Sequence, residues 1–164
     1  MLAYHLLNIN SGEIVGTTLA NVLIHLIFST KNREPLIDCD IEAELHAFLA
    51  SECQAYKAFP LKIGGVEDHV HILLNLPHTI TISKLVEEIK KSSSKWIKTK
   101  GLHYVPFAWQ TGFGAFSVSP SHRNAVYQYI CTQRELHQAV SFQDEYRQIL
   151  RKNGTEFDER YLWD

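Results

Sequence analysis

Between Thr18 and Val118 the apolar residues switch between a repeat of two and a repeat near 3.6, and the order of those switches constrains the fold more than any single motif. A repeat of two marks a strand with one buried face, and the longer repeat marks a helix with one buried stripe. Thr18 to Thr30 alternates with Val22, Ile24, Leu26 and Phe28 on one face, then breaks into the basic, polar loop Lys31-Asn32-Arg33-Glu34-Pro35. Asp38 or Asp40 caps a helix through about Tyr56, with Ile41, Leu45, Phe48, Leu49 and Cys53 as its stripe. Pro60 to Leu76 reads as a hairpin turning at Glu67-Asp68, and Thr81 to Lys100 as a helix buried along Ile82, Leu85, Val86, Ile89, Trp96 and Ile97. Phe113 to Val118 adds a strand after the glycine- and aromatic-rich Phe107 to Gly112. The result is βαββαβ, an α+β chain with helices covering a sheet.

Ser119-Pro120 places an N-cap before a proline at the first helical position, which predicts a third helix to about Gln138. Ser141 with Asp144 or Glu145 forms a second capping signal, opening a short helix that carries Phe142, Tyr146, Ile149 and Leu150 and stops before Gly154. Residues 1–17 are weakly patterned and read as an N-terminal extension, leaving 18–164 as one domain with no linker or repeat inside it. Met1 is the only methionine, so a start codon assigned too early fits the same reading.

A net charge of −2 gives no global electrostatic argument for nucleic acid, so any such argument must rest on a local basic patch. Cys39, Cys53 and Cys131 are an odd number without a C-x-x-C pair, which argues against a disulfide framework and for a reducing cytoplasm. The apolar runs Val22 to Phe28 and Ile72 to Leu76 are too short to span a bilayer, and Met1 to Gly16 lacks the layout of a signal peptide. No membrane association is expected.

The chemistry begins at His69-Val70-His71. Residues i and i+2 of a strand point to one face, so both imidazoles aim at a shared point, as two ligands of a metal would. On the third helix Tyr129 and Gln133 are four residues apart and share a face, whereas Tyr127 lies roughly 200° of rotation from Tyr129. If that helix packs over the histidine strand, Gln133 Oε1 is available as a third ligand with the Tyr129 hydroxyl nearby. Two neutral imidazoles and an amide leave coordination positions open for a phosphate oxygen, with Mn²⁺ bound more readily than Mg²⁺ by ligand preference. A tyrosine attacking a phosphodiester keeps the bond energy in a phosphotyrosine. Tyr127 is the rival nucleophile, and Asp68, beside His69 but on the opposite face, fits a supporting role. The remaining histidines, His25 and His137 among them, read as surface or core residues.

With these residues in place the chain resembles the insertion-sequence-200-like single-tyrosine HUH transposases. The likeness runs from Thr18 through Asp164 and rests on Ile24 to Lys31, on Asp68-His69-Val70-His71-Ile72, on Trp109-Gln110 with Gly112 to Ser119, and on Tyr129-Ile130-x-x-Gln133. It implies a ferredoxin-like or RRM-like antiparallel sheet with a C-terminal tyrosine-bearing helix. It further implies His69, His71 and Gln133 as ligands of Mg²⁺ or Mn²⁺, and Tyr129 as nucleophile. The implied substrate is hairpin-bearing single-stranded DNA, cut to a 5′-phosphotyrosine and rejoined. The implied assembly is a homodimer whose tyrosine helices can act in trans, in a cytoplasmic protein that joins the nucleoid when on DNA. A non-catalytic single-strand-binding module and a related HUH nickase of palindromes or origins are the competing functions.

For DNA contacts the sequence offers Lys84, Lys90, Lys91 and Lys95 on the second helix, Ser92 between them, and Lys31 and Arg33 in the first loop. Trp109, with Phe107 and Tyr104 near it, is a candidate for stacking on unpaired bases.

Overall fold

The computed structural model describes residues 19–163. The expected extension at 1–17 and the first residue of the expected domain, Thr18, lie outside them. Strand β1 spans Leu23–Ser29, helix α1 Glu42–Ala55, β2 Phe59–Val66, β3 His69–Asn75, α2 Ile82–Ile97 and β4 Gly114–Ser117, the βαββαβ order of the sequence reading. The four strands pair antiparallel in the order β2-β3-β1-β4. Helices α3 (Arg123–Cys131), α4 (Gln133–Leu136) and α5 (Phe142–Lys152) follow.

The sheet is buried on both faces, which the alternation of β1 and β3 understates. On one face Ile24, Leu26 and Phe28 of β1 and Val70, Ile72 and Leu74 of β3 pack under Leu45 and Leu49 of α1 and Leu85 and Ile89 of α2. Each such side chain contributes about 1.5–3 kcal/mol by leaving water. The opposite face carries the histidines and is covered by the later helices. Ile130 of α3 meets Leu23 and Leu73, while Phe142, Tyr146 and Leu150 of α5 meet Ile27 and Phe116. The register pairs Ser29 with His69, Ile27 with His71 and His25 with Leu73, so His25, Ile27 and Ser29 share a face with both motif histidines.

Two boundaries differ from expectation. Strand β1 begins at Leu23, where its register with β3 ends at Asn75, and Val22 before it is exposed. The single helix expected from Ser119 to Gln138 is divided. Pro120–His122 is a 3-10 turn, and Thr132 leaves helical geometry at φ −101°, ψ 16° between α3 and α4. The Thr132 hydroxyl donates back to the carbonyls of Gln128 and Tyr129, both at 3.3 Å, a local bond that competes with continuation of the helix. Ser119 does not cap the backbone either; its hydroxyl pairs with Ser121 Oγ and His122 Nδ1.

Two glycines let the covering helices reach the histidine face. A Cβ on Gly64 of β2 would stand 2.7 Å from the Ile130 carbonyl oxygen, and one on Gly114 of β4 would stand 2.7 Å from the Tyr146 hydroxyl. The first contact is with backbone and is relieved only by moving α3, whereas the second is with the Tyr146 and Phe116 rings. Gly64→Ala is expected to cost about 1–3 kcal/mol, as overpacking does, read as a lower urea midpoint at unchanged slope.

Candidate active site

His69 and His71 are fully buried on β3, their rings 5.0 Å apart. The division at Thr132 turns α4 so that Gln133, 1% exposed, drops onto them with its Oε1 3.3 Å from His69 Nε2. From the far side α5 inserts Glu145, 3% exposed, whose carboxylate stands 3.8 Å from His69 Nε2 and 3.6 Å from His71 Nε2. The same carboxylate accepts hydrogen bonds from Gln133 Nε2 at 2.9 Å and from the Tyr129 hydroxyl, and it pairs with His137 Nε2 at 3.1 Å. Tyr129 is half-buried, its ring edge-on to His71 at 5.9 Å and to His25 at 6.1 Å. Tyr127 is 37% exposed, with Lys62 over its ring, and is not among these residues.

The donor set fits a cation. His69 Nδ1 lies 2.7 Å from Asp68 Oδ1, an acceptor only, so Nδ1 is the donor and Nε2 is the nitrogen turned inward, where a metal would find it. His137 Nδ1 is fixed in the same way by the Val140 carbonyl at 2.8 Å. Gln133, by donating to Glu145, points its Oε1 at His69 Nε2 and at His137 Nε2, the latter 3.1 Å away. Acceptor atoms of His69, His71 and Gln133 therefore converge beside a carboxylate. His71 Nε2 and Glu145 Oε2 are buried without a hydrogen bond among the described residues. One ligand atom each from His69, His71 and Glu145 lie within 4.8 Å of one another, a two-histidine, one-carboxylate group able to hold a metal ion.

Electrostatics follow from burial and from this crowding. Burial lowers His71 to about 4, opposed by Glu145, and lowers His25 to about 3, helped by the neighbouring His71. Burial alone would raise Glu145, but His137, His71 and Tyr129 outweigh it and hold the carboxyl well below its usual value. Burial and then the Glu145 charge push the Tyr129 phenol well above 10, so its proton stays on oxygen until a base or cation changes the balance. For His137 burial is overcome by Glu145, and its pKa rises.

The expectation of a ligand set without a carboxylate is corrected here, because Glu145 belongs to the cluster. It was read as a possible cap, but Ser141 caps through the Asp144 backbone and leaves Glu145 one position further on, facing inward. An acidic residue set among Phe142, Tyr146, Ile149 and Leu150 was the available signal. His25 and His137 were also passed over: His25 Nε2 is 2.9 Å from His71 Nδ1. Asp68 makes the contact that a supporting role would need, accepting from His69 Nδ1.

Of the DNA-contact candidates, Lys90, Lys91 and Trp109 line one open groove between α2 and the segment before β4. Trp109 is a core residue, its Nε1 donating to Ser93 Oγ at 2.9 Å and its ring edge-on to Phe28 and Phe107, which corrects its assignment to base stacking. Phe107 and Tyr104 are buried with it. Lys90 donates to the carbonyls of Gln110 and Gly112 at 2.8 and 2.6 Å, and burial lowers it to about 8. Lys84 pairs with Glu87 and Glu88, and Ser92 donates to its own helix at Glu88. Lys91, Lys95, Lys31 and Arg33 are exposed.

The sheet thus bears a buried His-x-His pair under a helix that carries a tyrosine. The model of the family "Transposase IS200 like" matches residues 18–133. The chain belongs to the IS200-like transposase family. It is similar in fold to a candidate transposase from Deinococcus radiodurans R1, at 22% identity over 76% of this chain and 98% of that one, with a TM-score of 0.57. It is also similar in fold to a REP-associated tyrosine transposase bound to a REP hairpin, at 15% identity over 79% of this chain and 76% of that one, with a TM-score of 0.58. No curated protein matches the chain. Among the described residues no helix is long and apolar enough to cross a membrane.

Two measurements follow from the cluster. Glu145→Gln keeps the shape and removes the charge, and Asp68→Ala frees the His69 ring; each is expected to weaken Mn²⁺ binding by about tenfold or more in a calorimetric titration. Chelator-treated protein is expected to lose stability as pH falls from 6.5 toward 4. Over that window unfolded His25 and His71 take up protons, while the folded ones, at about 3 and about 4, remain neutral. His137, raised in the fold, opposes this near the top of the window, where its unfolded counterpart is still taking up a proton, and Glu145, held low in the fold, adds to the loss near the bottom. The slope in urea melts should be on the order of 1–2 kcal/mol per pH unit.

Proposed function

We propose that this chain is a single-tyrosine DNA transposase that cuts and rejoins hairpin-bearing single-stranded DNA through a 5′-phosphotyrosine, with Tyr129 as the nucleophile. The observation that supports this most is that the Tyr129 hydroxyl donates to Glu145 inside the cluster built on His69 and His71, whereas Tyr127 faces outward beside Lys62. Family membership supports the transposase reading, and the hairpin carried by the REP-associated relative supports the substrate class.

His69, His71, Glu145 and Gln133 are the residues that would hold a divalent ion, Mn²⁺ more readily than Mg²⁺ given two imidazole nitrogens. Such an ion supplies an electrophilic partner for a non-bridging phosphate oxygen. The chain's own residues do the rest. Asp68 and the hydrogen bond to Glu145 fix the orientations of the His69 ring and the Gln133 amide. Glu145 Oε1 holds the phenolic proton in line for removal as Tyr129 Oη bonds to phosphorus. The bond from phosphorus to the 3′ oxygen breaks as that bond forms, and the leaving oxygen takes a proton to become a 3′-OH. Reversal by another 3′-OH rejoins a strand and frees Tyr129, so no nucleotide cofactor is consumed.

Within one chain, α3 and α4 bring Tyr129 and Gln133 to that chain's own histidines, which supports action in cis in this conformation. The homodimer and exchange of tyrosine helices implied by the family likeness remain part of the proposal.

The test is a denaturing gel of labelled, hairpin-bearing single-stranded DNA incubated with the protein and Mn²⁺. A slow-migrating adduct is expected, lost at least about 100-fold in Tyr129→Phe, retained in Tyr127→Phe and abolished by EDTA. Adduct retained in Tyr129→Phe would overturn the assignment. Binding that ignores EDTA, with no adduct from the parent protein, would mark a non-catalytic module.

A further inference from the structure

Tyr129 lines the mouth of an open groove of about 670 Å³ that runs between the exit of β4, one face of α3 and the C-terminal end of α5. Its size falls within the roughly 300–1,000 Å³ of sites that take small ligands or single residues of a polymer. The cluster behind Tyr129 is sealed: His69, His71, Gln133 and Glu145 are buried, and Tyr129 is the member half-exposed to this side. Tyr129 touches both this groove and, through its hydroxyl, the buried Glu145, so a strand that reaches Tyr129 from this side lays its neighbouring nucleotide along the groove.

The lining has the chemistry for that occupant. Val118 and Val126 supply apolar surface against which a sugar or base face can rest. Ser117, Ser119, His122, Asn153 and Lys152 supply polar groups along the walls. No carboxylate lines the groove, although the chain carries 18 acidic residues against 16 lysines and arginines. Lys152 is exposed and enters no ion pair among the described residues, unlike Lys84 and Lys100, which are neutralised by nearby glutamates. An unpaired ammonium in a carboxylate-free groove that ends at a nucleophile matches a phosphodiester chain.

We propose that this groove is a binding site for single-stranded DNA, holding the nucleotide adjacent to the scissile phosphate, with Lys152 on its backbone and Val118 and Val126 under its base or sugar. The site deepens the transposase reading and rests on it for the position of the scissile phosphate, but it can be tested without cleavage.

The probe is fluorescein-labelled dT12, and the same oligonucleotide carrying 4-thiothymidine, each bound to the full-length protein. Crosslinked peptides are expected to map to residues 117–126 and 152–153. Lys152→Glu should weaken dT12 binding by about fivefold to tenfold at low salt, and Lys152→Ala should reduce the slope of log K against log[salt] by about 0.7, the loss of one single-strand phosphate contact. Ala125→Trp, at an exposed position on the groove-lining face of α3, should fill the groove and weaken dT12 without lowering the urea midpoint. Crosslinks confined to other surfaces, or unchanged affinity and salt slope in the Lys152 variants, would overturn the site. Groove crosslinks from a protein that forms no tyrosine adduct would uphold the site and count against the cleavage chemistry, so the two failures are distinguishable.

Discussion

A carboxylate taken out of water costs several kcal/mol unless donors or cations surround it, and Glu145 is such a carboxylate. Everything else in the site is arranged around it. Tyr129 and Gln133 donate hydrogen bonds to it, His137 pairs with it, and His69 and His71 bring nitrogens close enough that the group could hold a metal. The residues come from β3, α3, α4 and α5, so one buried charge ties the covering helices to the sheet. Removing one partner of such a cluster leaves the others uncompensated, which makes placement of Tyr129 and integrity of the histidine cluster a single property.

The sheet supplies the rigid part of this arrangement. Burial on both faces gives β1 and β3 no freedom to slip by one residue, because a slip would send the histidines into the core under α1 and α2 and the leucines into the site. Gly64 and Gly114 then set how closely the movable parts approach: one admits α3 and with it Tyr129, the other admits α5 and with it Glu145. The break at Thr132 does the remaining positioning, since it lets Gln133 turn onto His69 while Tyr129 stays at the mouth of the groove.

The sequence carried the sheet plainly, because period-two and period-3.6 patterns follow directly from backbone geometry and the segments were long. His69 and His71 were legible for the same reason: alternation on a strand is enough to place two imidazoles together. Tyr129 and Gln133 were placed by assuming a continuous helix, and they share the cluster despite the break, held by a common partner on α5. That partner was the part the sequence hid. Glu145 lies twelve residues from Gln133, and its inward direction depends on how α5 docks on Ile27 and Phe116, a long-range packing outcome that no local pattern encodes. Trp109 failed in the opposite sense: an aromatic beside a loop looked available for stacking, and its ring instead closes the core around Phe28.

The account stands most directly on which atom becomes bonded to DNA. Protein incubated with single-stranded hairpin DNA and Mn²⁺, then treated with nuclease and trypsin, yields the peptide from Asn124 to Arg134, which contains both Tyr127 and Tyr129. Fragmentation mass spectrometry of that peptide is predicted to place a 5′-phosphodeoxynucleotide on Tyr129, and only when the metal was present. A nucleotide on Tyr127, on another residue, or on Tyr129 in metal-free protein to the same extent would contradict the account.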